Sequence, residues 1–176
     1  CSLERLRAHG YQYWALGHVH AREVLGESPW VVFPGNTQGR HVQEAGARGC
    51  TLVRVDDAGR CQLEAHALDE LRWARLALDA TEIRVLDDLH HALRAALVRA
   101  LREADGRRLA ARIEIRGAFA AHESLARRPD AFRAAARAVA NDVGGGAIWL
   151  EKIVLDTRPA IDRAALALRD DPIGEL

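Results

Sequence analysis

The residues best suited to chemistry are the histidines of Gly17-His18-Val19-His20, which directly follow the apolar run Tyr13-Trp14-Ala15-Leu16. Side chains two apart on an extended segment project to the same side, so both imidazoles can face one site at the C-terminal edge of a strand. Neutral imidazole is the commonest protein ligand for divalent transition metals. Gly17 removes a side chain where the backbone would pass close to a metal cluster. Taken alone, such a pair is more often a surface or hydrogen-bonded core pair than a ligand pair. Arg22, Asn36, Arg40 and His41 follow. They are of types that hold backbone phosphates, arginine by bidentate contact, but they also read as solvated loop residues or as partners of Glu23 and Glu44. A second pair, His90-His91, lies in a leucine-striped stretch. His91 reads as solvent-facing and His90 as flanking the stripe, and neither is taken as a ligand.

The elements that must position these groups follow from pattern. Leu3 to Ala8 is amphipathic and helical and breaks at Gly10; Tyr13 to Leu16 and Trp30 to Phe33 are short apolar strands, the second closed by Pro34-Gly35. Cys50 to Val55 and Cys61 to His66 alternate on either side of Asp56-Asp57-Ala58-Gly59, which predicts a β-hairpin. The character changes near Asp69 to Asp79, with a strand at Trp73 to Leu78. Leu86, Leu89, Leu93, Leu97 and Leu101 then form one apolar stripe of a helix, with Glu82 expected in its first turn and Gly106 as its stop. Leu109 to Gly117 alternates as a half-buried strand, Ile113 and Ile115 against Arg112, Glu114 and Arg116. A helix opened by Pro129 carries Phe132, Ala136, Val139 and Val143 on one face and stops at Gly144-Gly145-Gly146. A strand at Ile148 to Leu155 and a short polar helix near Ala160 to Arg169 complete the chain. The second half therefore reads as β-α-β-α-β with helices on one face of a sheet.

Composition narrows the functional classes. The 25 basic and 25 acidic residues balance, so no whole-chain field draws a polyanion, and nucleic-acid contact would have to come from local patterning. Arg107, Arg108, Arg112 and Arg116 suggest a basic strip diluted by Glu103, Asp105 and Glu114, and a solvated sheet edge is the favoured reading. Cys1, Cys50 and Cys61 include no Cys-x-x-Cys pair, which argues against a zinc ribbon or disulfide framework; Cys50 and Cys61 flank the hairpin and could approach one another, but two small reduced thiols is the favoured reading. No run of roughly 18 apolar residues or secretory signal occurs, and a cytoplasmic location is expected. The chain opens at Cys1 and contains no methionine, so it reads as a piece of a longer protein.

The longer string Tyr13 to His20, then Pro29 to Asn36, then Arg40, Glu44 and Arg48-Gly49-Cys50-Thr51-Leu52-Val53 resembles the closing segment of the SbcD/YhaO-type DNA repair exonucleases of the calcineurin-like metallophosphoesterases. There an Ala-Leu-Gly-His-x-His segment is followed by a strand into a Pro-Gly-Ser/Asn turn, a downstream Glu and a Lys/Arg-Gly pair. Pro34 to His41, Asp69 to Trp73 and the ending Asp171 to Leu176 look closest to the YhaO-type branch. Asn36 stands where many relatives have Ser, Arg48 where Lys is common, and Gln12 where Asp often precedes this strand's Tyr. The resemblance implies an α/β and α+β fold: the C-terminal part of a metallophosphoesterase sandwich at 1–70, then a β-α-β-α-β capping domain at 71–176 that helps position DNA. It implies a DNA phosphodiesterase with two divalent ions, usually assigned manganese, with His18 ligating one and His20 the other. Arg22, Asn36, Arg40 and His41 would hold substrate. Family members commonly work with a coiled-coil ATPase of the SbcC or YhaN type, and a homodimer is a further assembly considered for this chain. The family's other ligand motifs should lie upstream of Cys1. Two imidazoles lack the carboxylate charge to hold two Mn²⁺ ions against water, so the chain alone is expected to be inactive. Two alternatives remain: a non-catalytic cap module that binds DNA or a partner, and a metallophosphatase of small phosphoesters.

Overall fold

A computed structural model describes residues 2–160. The expected polar helix near Ala160 to Arg169, the ending at 171–176 and Cys1 lie outside them, apart from Ala160 itself. The described residues are mixed α/β and fall into two compact units, one within Cys1–Ala74 with Leu101–Ala110 and the other within Arg75–Ala100 with Ala111–Leu176.

The first unit opens with helix α1 (Leu3–Arg7), whose N-cap Ser2 accepts a hydrogen bond from the Arg5 backbone N–H at 3.4 Å. Strands β1 (Tyr13–Ala15), β2 (Glu23–Glu27) and β3 (Trp30–Phe33) form a sheet of order β1-β3-β2, with β1 parallel and β2 antiparallel to β3. Val31 and Val32 of the central strand are fully enclosed. Sequence patterning does not reveal β2, because its register shifts between Val24 and Gly26 and so breaks the period-two signal. A one-turn 3-10 helix (Val42–Glu44) precedes the expected hairpin of β4 (Gly49–Val55) and β5 (Cys61–Ala67). The turn is locked by Asp56, whose Oδ1 accepts from the N–H groups of Ala58 and Arg60. Register pairs Cys50 with His66 and Val55 with Cys61, which places the two thiols roughly 17 Å apart along the ladder at about 3.4 Å per residue. The alternative in which Cys50 and Cys61 approach one another does not occur, and both are free, the favoured reading.

A sheet of order β6-β7-β8, from β6 (Leu71–Asp79), β7 (Arg108–Phe119) and β8 (Ile148–Pro159), has most of its residues in the second unit. Helix α2 (Leu86–Glu103) sends Leu89, Leu93 and Leu97 into the core with no exposed surface, each worth roughly 1.5–3 kcal/mol of burial. It starts four residues after Glu82, so the acids of its first turn are Asp87 and Asp88, not Glu82 as the pattern suggested. A short helix α3 (His122–Arg127), absent from the sequence reading, precedes α4 (Pro129–Gly144). Pro129 opens α4, Phe132, Ala136 and Ala140 are its buried stripe, and Gly145 closes it in the left-handed conformation. Helices α3 and α4 lie against β8.

Strand β7 corrects two expectations. It is the central strand, not a solvated edge, and its residues are buried consecutively, not alternately. The chemical alternation persists, but ion pairs cover the polar face. Glu114, only 4% exposed, is bidentate to Arg75 at 2.6 and 2.9 Å and also accepts from Arg116. Arg112 is bidentate to Glu151 at 2.9 and 2.8 Å. In the first unit, Arg107 pairs with Asp69 and Asp105. The proposed basic strip is thus largely neutralised where it stands.

Candidate functional site

The Gly17-to-His20 segment lies outside any strand, and His18 adopts φ 88°, a left-handed backbone that side chains seldom take. The extended geometry that would aim both imidazoles one way is therefore absent. Gly17 has open space where a Cβ would sit, so close backbone approach is not its role. His18 is exposed, and the structure brings it to none of the other candidate residues through a hydrogen bond or ion pair.

His20 is held firmly. Its carbonyl accepts from the Asn36 N–H at 3.2 Å and from Arg48 Nη1 at 2.6 Å, while Arg48 also donates to the carbonyls of Glu44 and Ala45. One guanidinium thereby ties the histidine loop to the end of the 3-10 turn. Gly35 completes the clamp: at φ 80° its α-carbon faces the His20–Arg22 backbone, and a Cβ would come within 3.0 Å of the His20 carbonyl oxygen and Arg22 N.

The centre of the cluster is Glu44, 5% exposed. Its Oε1 lies 2.6 Å from His20 Nδ1 and 3.2 Å from Arg40 Nη2; its Oε2 accepts from Asn36 Nδ2 at 3.1 Å and the Arg40 N–H at 2.8 Å. His41 Nε2 stands 3.8 Å from Oε1. Hydrogen bonds from the Arg40 side chain and backbone, then from His20, outweigh burial and hold this carboxyl far below the usual carboxylate range. An ionised carboxylate has no proton to give, so the short contact places the proton on His20 Nδ1. Arg40 Nη2, 3.0 Å from the same nitrogen, meets a donor there and bonds instead to Glu44 Oε1. In the tautomer with its proton on Nδ1, the ring carries its lone pair on Nε2.

Of the sequence candidates, His20, Asn36, Arg40 and His41 thus gather on Glu44. Arg22 donates to Thr51 Oγ1 at 3.2 Å and joins His20, Asn36, Arg48 and His66 around a cavity of about 180 Å³. Buried Asn36 Oδ1 has no partner among the described residues, an acceptor capacity that water or a ligand's donor would fill. Glu44, the hub of the cluster, is not among the site residues expected from sequence; its signal there is the Arg40-x-x-x-Glu44 spacing and its place in the family pattern.

The donor set suits a metal ion only in part. A ligating histidine typically donates its other ring N–H to a carboxylate, which fixes tautomer and orientation, and the His20–Glu44 pair has that form. Among the described residues, however, no group of three or more His, Cys, Asp or Glu side chains stands together as a metal cage. The described residues can supply one side of a coordination sphere. No described helix is long and apolar enough to cross a membrane.

Residues 73–158 match the family model of the middle domain of the metallophosphoesterase YhaO. The chain is 45% identical over 76 residues to a protein named "Uncharacterized metallophosphoesterase YhaO" from Bacillus subtilis (strain 168). The aligned stretch covers 43% of this chain and 18% of the Bacillus protein. The cluster around Glu44 lies N-terminal to the residues matched by the family model.

Proposed function

Since the chain belongs to the YhaO-type metallophosphoesterases, to which residues 73–158 tie it, we propose that it is part of a metal-dependent phosphodiesterase acting on DNA. His20 is a ligand, oriented by Glu44; His18 is the second donor, from the adjoining loop. The single observation that carries this reading is the 2.6 Å contact between His20 Nδ1 and buried Glu44, which leaves Nε2 free to bind a cation. Arg22, Asn36, Arg40 and His41 hold substrate phosphate. Two divalent ions, manganese in the family resemblance, would activate water and stabilise the leaving oxygen when bound. The missing donors come from outside this sequence, so the chain alone does not cleave DNA. Its second unit, which matches the YhaO middle domain, positions the duplex, and a coiled-coil ATPase is the expected partner.

The test uses the full-length protein, with linear duplex DNA and a chromogenic phosphodiester compared under manganese. DNA should be degraded in preference, and His20→Ala should abolish the activity. Hydrolysis confined to small phosphoesters would favour a metallophosphatase, and unchanged DNA cleavage by His20→Ala would refute the assignment.

A further inference from the structure

The second unit holds a cavity of about 430 Å³ lined by Leu86, His90, Ser124, Leu125, Arg128 and Phe132, with Arg127 and Ala131 also at its wall. Three observations give it a chemistry. The His90 ring stacks on Phe132, centroids 5.0 Å apart and planes 13° from parallel, and His90 Nε2 is buried without a hydrogen-bond partner. The stacked pair gives the cavity a flat aromatic wall on which another planar ring can continue the stack. Arg127 and Arg128 are exposed, line the cavity and form no ion pair among the described residues. No carboxylate lines the cavity, and nearby Asp130 is engaged by Arg133 at 2.8 Å. Finally, α4 starts at Pro129 from Arg128 with no side-chain cap, so the backbone N–H groups of Asp130 and Ala131 and the positive dipole end stand beside these arginines.

From this we propose that the cavity binds a nucleoside monophosphate, either free or as the terminal nucleotide of a strand. Its base extends the His90–Phe132 stack, while its phosphate meets Arg127, Arg128, Ser124 Oγ and the start of α4. The volume lies within the usual range for small-ligand pockets, roughly 300–1,000 Å³. The inference is independent of the His20 site and survives if that site proves not to bind metal.

Calorimetric titration of the full chain with dAMP, deoxyadenosine and inorganic phosphate separates the contributions. Saturable dAMP binding is expected, with each half-ligand at least about tenfold weaker, the scale of losing charge-assisted hydrogen bonds. The Arg127→Glu/Arg128→Glu double variant changes only exposed side chains and should weaken dAMP about tenfold or more with an unchanged circular dichroism melt. Ala131→Trp should block the cavity. Competition by oligonucleotides phosphorylated at one end assigns the strand-end source if they displace dAMP, and the free nucleotide if they do not. Absence of saturation, phosphate binding as tightly as dAMP, or a folded double variant that binds like the wild type would overturn the proposal.

Discussion

Replacing Glu44 by Gln keeps the side chain's volume and removes one of its two acceptors. In the native cluster two oxygens serve four donors: His20 Nδ1 and Arg40 Nη2 on Oε1, Asn36 Nδ2 and the Arg40 N–H on Oε2. A glutamine presents an NH₂ group to one of these pairs, so two of the four contacts become donor against donor. If the NH₂ faces His20, the ring must accept at Nδ1 and carry its proton on Nε2, the tautomer that cannot ligate. If it faces Asn36 and Arg40, the His20 contact survives but its charge assistance is gone. Removing an outer partner of a ligating histidine typically costs about 10–100-fold in metal affinity. The assay is Mn²⁺ binding to the full-length protein, followed by the electron paramagnetic resonance signal of free Mn²⁺. A variant that binds Mn²⁺ as tightly as wild type while remaining folded would refute the reasoning.

Other outcomes are expected of the chain itself. Leu93→Ala, at a site with no exposed surface, should lose about 2–5 kcal/mol of stability in urea unfolding. Gly35→Ala places a Cβ 3.0 Å from backbone atoms at φ 80° and should cost more than about 1 kcal/mol, with weakened protection of the Asn36 amide in hydrogen exchange. Burial alone would raise the pKa of Asp69, but the hydrogen bonds and charges of Arg72 and Arg107 prevail and hold it below the ordinary value. Its ionised form therefore stabilises the fold above the unfolded pKa of about 4, and that contribution should disappear as pH falls through the lower folded value. Asp69→Asn should flatten this part of an acid-unfolding profile and cost about 3 kcal/mol near neutrality, by leaving Arg72, 11% exposed, without its partner.

Periodic elements were legible wherever one face is apolar and the ends carry stop residues: the Leu89-Leu93-Leu97 stripe, α4 between Pro129 and Gly145, and the hairpin around Asp56 to Gly59. β2 was not legible, because a register shift at Gly26 disrupts its alternation. Strand β7 was found, but its burial was misjudged: arginine–glutamate pairing covers a polar face, and pairing partners such as Glu114 and Arg75 are 39 residues apart. At the site, the extended geometry expected of the histidine motif is not the one found, since His18 adopts a left-handed backbone. What organises the cluster is Glu44, 24 residues beyond His20, a separation that local spacing rules cannot bridge. His90 read as a flanking residue, and only the fold brings Phe132 against its ring.

The proton on the His20 imidazole can be read directly from long-range nitrogen–proton correlations of this chain at neutral pH, with Glu44→Gln used to assign the resonance. The account predicts a protonated Nδ1 facing Glu44 and a bare, lone-pair-bearing Nε2. A ring protonated at Nε2 alone would contradict it, because that nitrogen would have nothing to offer a metal ion.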